Sequence, residues 1–160
     1  MTRQNPTLPT LDRIDRRILH VLAHDGRITL TDLAAKVGLS KSPAQVRVRR
    51  LEDTGIIRGY RAVLDPVGLG ATHIAFVEVK LSDTTEPALR AFNAAIGTVP
   101  AIEECHMIAG GFDYLLKVRT RDIAGYRRVL GETISSLPHV AQTSTFVVLE
   151  AVKDPGPDAP

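Results

Sequence analysis

A chain of 160 residues and 17.4 kDa holds one ordinary domain or two small ones, which excludes a large multidomain enzyme. With 44% hydrophobic and 24% charged residues it can bury a core, which excludes disorder over most of its length. The net charge of +2 conceals an asymmetry: residues 1–65 carry 12 Lys and Arg against 7 Asp and Glu, and residues 66–160 carry 8 against 11. Only the basic front suits a polyanion.

Residues 1–9, polar with two prolines, read as a loose arm. Asp12 can cap a first helix whose apolar positions Ile14, Ile18, Leu19, Val21 and Leu22 form a 3.6-type stripe ending at His24-Asp25-Gly26. A second, short helix follows Thr29 or Thr31, buries Leu33, Ala34 and Val37, and stops at Gly38. After a tight turn, the third helix is expected to start on a capping Ser40 and run to about Asp53, with Pro43 tolerated in its first turn. Helix, short helix, Gly-containing turn and longer basic helix describe a helix-turn-helix over residues 10–56. Residues 56–64 alternate in part and predict a wing or hinge strand within a linker spanning 57–70.

Asp65-Pro66-Val67-Gly68 is a turn signal, and the periodicity changes after it. Strands are expected over 72–81, 101–109, 112–120 and 140–152. Helices are expected over 86–97, burying Leu89, Phe92 and Ile96, and from a capping Asp122 to about Leu137, burying Tyr126, Val129, Leu130 and Ile134. The order β-α-β-β-α-β predicts a ferredoxin-like antiparallel sheet over 71–153, with helices on one face and an apolar second face buried against another subunit. The fold class is therefore α+β in two units, followed by a Pro-rich tail at 154–160.

On the third helix, Ala44, Val48 and Leu51 fall within about 60° of one another and must face the core. Ser42, Gln45, Val46, Arg49 and Arg50 then point outward. Arg pairs with guanine edges, Gln with adenine, and Ser or Lys with phosphates, while the helix start at Ser40 and Lys41 attracts an anion. The alternative is a solvated basic face, but its place as the second helix of a helix-turn-helix favours double-stranded DNA. Few aromatics and no Trp argue against single-strand stacking platforms.

No catalytic machinery appears: no Gly-rich phosphate loop, nucleophile elbow or paired carboxylates. Cys105, the single cysteine, is expected in the strand core. Alternation puts it opposite Glu104 and His106, so it forms no Cys–His pair. The histidines lack metal-ligand spacing. Neither a metal nor a cofactor is expected. One cysteine, no secretory signal and no run of roughly 18 apolar residues point to the cytoplasm. Gly110-Gly111-Phe112-Asp113 could offer amides to the carboxylate of a free amino acid and an acceptor to its ammonium; the plainer reading is a hairpin turn.

These residues resemble a known family. Leu11-Asp12 through Leu19 with Asp25-Gly26-Arg27, Val37-Gly38-Leu39-Ser40, and Arg49-Arg50-Leu51-Glu52 with Gly55-Ile56-Ile57 are similar to the opening of the leucine-responsive and asparagine-operon regulators, the Lrp/AsnC family. In the back half so are Gly110 through Lys117, Tyr126-Arg127 with Leu130-Gly131-Glu132-Thr133, and Thr145 through Glu150. The match spans roughly residues 10–153 and lies nearest the leucine-responsive and proline-utilisation activator branches. The resemblance implies a winged helix-turn-helix in front and an amino-acid-sensing βαββαβ domain behind. It also implies dimers that assemble further, to octamers, with effector between dimers. Met107, Ala109, Gly110, Gly111 and Asp113 match the effector loop, and Phe146, Val147 and Val148 the last strand beside it. Gly111 and Phe146 depart from the family pattern, which leaves leucine, proline or another amino acid open as effector. The expectation is a sequence-specific transcription regulator of amino-acid metabolism; the rivals are a weakly specific DNA-compacting protein and a ligand-binding or enzymatic module without a DNA role.

Overall fold

The computed structural model describes residues 10–152; the expected arm at 1–9 and tail at 154–160 lie outside them. The chain divides into two compact units between Val63 and Leu64. The first contains α1 (Arg13–His24), α2 (Leu30–Val37) and α3 (Lys41–Asp53). α1 starts on a capping box. Asp12 Oδ1 accepts the Asp15 N–H at 2.8 Å and Asp15 Oδ2 accepts the Asp12 N–H at 3.1 Å, satisfying two amides that a helix start leaves free. The Thr29 hydroxyl caps α2 by accepting the Asp32 N–H. α2 ends at Gly38, whose φ of 75° is cheap only for glycine. Ile18, Leu33, Val37 and Leu51 make the core, with Val48 half-buried against them.

Two expectations for this unit fail. Ser40 stands at the N-cap of α3, yet its hydroxyl makes no capping bond. The third helical residue is Pro43, which has no N–H for the usual capping partner to offer. The wing or hinge strand does not form either: residues 54–72 contain no strand. A strand exists by pairing, and residues 54–72 enter none of the strand pairings described. The Tyr60 hydroxyl instead donates to Glu52 at 2.9 Å, while Val63 and Leu64 stand exposed.

The second unit contains β1 (His73–Leu81), α4 (Glu86–Ile96), β2 (Ile102–Met107), β3 (Tyr114–Thr120), α5 (Ile123–Arg128) and β4 (Val140–Val147). All pairings are antiparallel and the strand order is β2-β3-β1-β4, the expected βαββαβ arrangement. Ala75, Val77, Val79 and Leu81 on β1 and Tyr114, Leu116 and Val118 on β3 bury one face against Phe92, Ile96, Tyr126 and Ile134. Ala88 is buried in α4, where Leu89 was expected; Leu89 packs at the margin.

The long helix expected to Leu137 is broken. After α5 the chain makes a π turn over Val129–Thr133 and a 3₁₀ turn over Ile134–Ser136. On a regular helix Tyr126 and Ile134 stand about 80° apart; a π turn takes up an extra residue, and both side chains reach the sheet. β4 stops at Val147 rather than Val152. Val147 pairs with Ala75 and the Val148 N–H reaches Ile74 O, one residue from the start of β1 at His73.

The second face of the sheet is mixed, not apolar. Alternation with the buried set places Ile74, Phe76 and Leu115 there beside Glu78, Lys80, Lys117 and Arg119, and Phe146 pairs across from Phe76. Cys105 is exposed rather than in the core, because β2 is an edge strand. His106 Nε2 lies 3.3 Å from Glu104, on one face as alternation requires. A register shift between Ile102 and Glu104 brings Glu103 and Glu104 together onto Lys117, at 3.5 and 3.1 Å.

Candidate functional site

The outward face of α3 exposes Lys41, Ser42, Gln45, Val46 and Arg49, with the free Ser40 hydroxyl at its start. Arg49 is more open than Arg47 or Arg50: its side chain is 81% exposed and its pair with Asp53 is 3.9 Å long, a weak helical pair. Arg50 differs from the outward residue expected. Its Nη2 contacts Asp15 Oδ2 at 2.5 Å, so α1 holds one edge of the guanidinium while the rest faces solvent.

Asp15 is the centre of a network that the sequence reading missed. Its side chain is 1% exposed, and Arg47 Nη1 reaches both Asp15 Oδ1 at 2.8 Å and Asp12 Oδ2 at 2.6 Å. Two carboxylates on α1 thereby fix two arginines of α3, setting the angle at which that helix presents its outer face. The available signals were the Asp-x-x-Asp spacing at a helix start and the position of Arg47 about 60° from Ala44 on the wheel. The Asp15 N–H first, then the Arg47 guanidinium, hold the Asp12 carboxyl down at about 2. For Asp15 burial pushes upward, but the Asp12 N–H and the two guanidinia outweigh it and the net shift is downward.

Both folded-state values lie below the unfolded ones, so the stabilisation is complete above pH about 4 and is lost as pH falls through the Asp12 value of about 2. The melting temperature of wild type is therefore expected to fall more steeply between pH 4 and pH 2 than that of Asp12→Asn. Equal slopes by circular dichroism would show that the Asp12 carboxylate contributes nothing to the network.

In the second unit the loop between β2 and β3 is not a tight hairpin turn. Ile108 N–H and Asp113 O close it at 2.9 Å. The amides of Ala109, Gly110, Gly111 and Phe112 have no acceptor among the described residues. Lys80 Nζ donates to Gly111 O at 3.1 Å, which brings a cation to the same loop. Asp113 has a structural use: its Oδ2 accepts the Leu81 N–H at 2.7 Å, where the β1–β4 register shifts. Only Oδ1 is left for anything else. Met107 is exposed at the end of β2.

Phe146, Val147 and Val148 do not lie beside this loop within one chain. β4 runs antiparallel to β1, so Val147 pairs with Ala75, whereas Met107 and Tyr114 align with Val79 at the other end of the sheet. Four residues of β1, roughly 13 Å along the strand, separate the two groups, too far for one small amino acid to touch both.

A helix-turn-helix with a basic outer helix, joined to a separate βαββαβ unit, is the architecture of a two-part transcription regulator. A winged helix-turn-helix DNA-binding model matches residues 11–58, and the Lrp/AsnC ligand binding domain matches residues 74–158. The chain belongs to the Lrp/AsnC family of DNA-binding transcriptional regulators. It is 61% identical over 146 residues to the proline dehydrogenase transcriptional activator of Rhizobium radiobacter, covering 91% of this chain and 94% of that one. It is 50% identical over 143 residues to the leucine-responsive regulatory protein of Salmonella typhimurium, covering 89% and 87%. Among solved structures, a transcriptional regulator of Neisseria meningitidis in complex with L-Met superposes with a TM-score of 0.85 at 33% identity, covering 91% of this chain and 94% of that one. No helix among the described residues is long and apolar enough to cross a membrane.

Proposed function

We propose that this regulator reads operator DNA through Ser40, Lys41, Ser42, Gln45, Val46, Arg49 and Arg50, and that a free neutral amino acid held by the second unit changes that binding. The single observation that carries the DNA assignment is the outward face of α3: exposed, cationic and fixed from behind by Asp15. The uncapped helix start leaves amides for a phosphate, the arginines and Gln45 reach base edges, and no carboxylate intrudes before Glu52. The protein acts where DNA is, in the cytoplasm, without chemistry of its own.

The effector assignment rests on four successive amides without acceptors beside Lys80. They suit a carboxylate, and Asp113 Oδ1 suits an ammonium. Phe146, Val147 and Val148 are exposed or half-buried apolar groups at the far end of the sheet and join a ligand site only when a second copy of the chain brings them there. A mixed apolar and charged sheet face supports the same association. The names of the relatives favour proline or leucine as the amino acid, and the Neisseria complex makes methionine a third choice.

Arg49→Ala tests the DNA assignment. The side chain makes no core contact, so the variant is expected to fold normally and to bind operator more weakly by about 1–3 kcal/mol in fluorescence anisotropy. Unchanged affinity in the folded variant would remove Arg49 from the interface. The same titration against random DNA separates regulation from compaction: affinity that depends steeply on salt with little operator preference would mark an architectural protein.

A further inference from the structure

α3 carries one hydrophobic side chain for which the fold has no use. Val46 is 69% exposed and packs against neither core. On the helical wheel it falls between Arg49 and Arg50, about 40° from Ser42, within the cationic face rather than at its margin. A β-branched residue at an open helical position lowers helix propensity and leaves apolar surface in water. No packing offsets either cost. A local choice that works against the fold is what a contact position looks like.

The surroundings define the contact. Val46 and Pro43 form the apolar part of a shallow concavity that Ser42, Arg47 and Arg50 complete; Asp12 also borders it, with its carboxylate taken up by Arg47. An occupant must offer a small apolar group with negative charge beside it. Among base edges in the major groove, thymine alone offers a methyl group, on C5, and the phosphates of its strand lie alongside. We infer that Val46 reads thymine methyl groups in the operator, an apolar preference for T·A pairs that adds to any adenine contact of Gln45 and that the guanidinium of Arg49 does not supply. This rests on the assignment of α3 to DNA.

Uracil is thymine without that methyl, so the test is an exchange of one group. The fragment upstream of the gene is amplified once with dTTP and once with dUTP, and each is titrated with wild type and Val46→Ala. Alanine at an exposed helical position preserves the fold, which circular dichroism checks. Wild type is expected to bind the uracil fragment about four-fold more weakly for each thymine methyl that Val46 covers, the factor for burying one methylene-sized group. Val46→Ala is expected to bind the thymine fragment more weakly than wild type does and to distinguish less between the two fragments. Wild type indifferent to the exchange, or Val46→Ala as sensitive to it as wild type, overturns the inference. Wild type that binds neither fragment overturns the DNA assignment and the inference with it.

Discussion

Asp15→Ala is expected to destabilise the first unit by about 3 kcal/mol, read as a shift of its denaturant midpoint. Removing one partner of a buried ion pair costs about 3–5 kcal/mol, because the other charge is left uncompensated. The lower end applies here, since Arg47 keeps its pair with Asp12 and the stranded Arg50 side chain is 49% exposed, so that water solvates part of its charge. Loss of the acceptor for the Asp12 N–H adds to the cost through the helix start. DNA affinity of whatever remains folded is expected to fall as well, because α3 loses the support that orients Arg50. A destabilisation below about 1 kcal/mol, the scale of an exposed ion pair, would show that the network is an ornament of the surface rather than the joint between α1 and α3.

Asp113→Asn is expected to leave operator binding intact and to abolish its response to amino acid. The asparagine carbonyl can still accept the Leu81 N–H, so the end of β1 is preserved where alanine would disturb it. The negative charge that would meet the ligand ammonium is gone. A ligand moves an equilibrium only by its differential affinity for the two states, and coupling of about 1–3 kcal/mol changes DNA affinity about 5- to 150-fold. That response is expected in wild type and absent in the variant, with oligomer size followed by light scattering in the same titration. An Asp113→Asn protein that responds as wild type does would make Asp113 a turn residue only.

The elements of both units were legible because each announces itself locally. The 3.6 period of α1, the Gly38 stop and the β-branched alternation of β1 need no knowledge of what they touch. What escaped depended on partners. Residues 56–64 have the pattern of a strand but enter no ladder, and β4 ends within two residues of the start of β1. Cys105 reads as core until the strand order shows it on an edge.

The site divides in the same way. The outer face of α3 follows from angular position alone, whereas the hold of Asp15 on Arg50 does not. The pairing of Arg47 is not legible within α3, because its two acids lie more than thirty residues earlier. Phe146 through Val148 were grouped with the loop by resemblance, but antiparallel pairing sets them at the other end of the sheet. Gly110-Gly111 signals backbone amides able to approach a ligand, but Lys80 beside them and the full run of four amides without acceptors show only in the folded chain.

The measurement that bears most directly on a DNA reader governed by an amino acid is the operator binding isotherm of wild type. It is recorded by anisotropy at fixed salt, alone and with L-proline, L-leucine or L-methionine. Specific binding of the upstream fragment over random DNA is expected, with a midpoint that at least one of the three amino acids displaces about 5- to 150-fold. Specific binding that none of the three displaces would contradict control of this DNA reader by an amino acid.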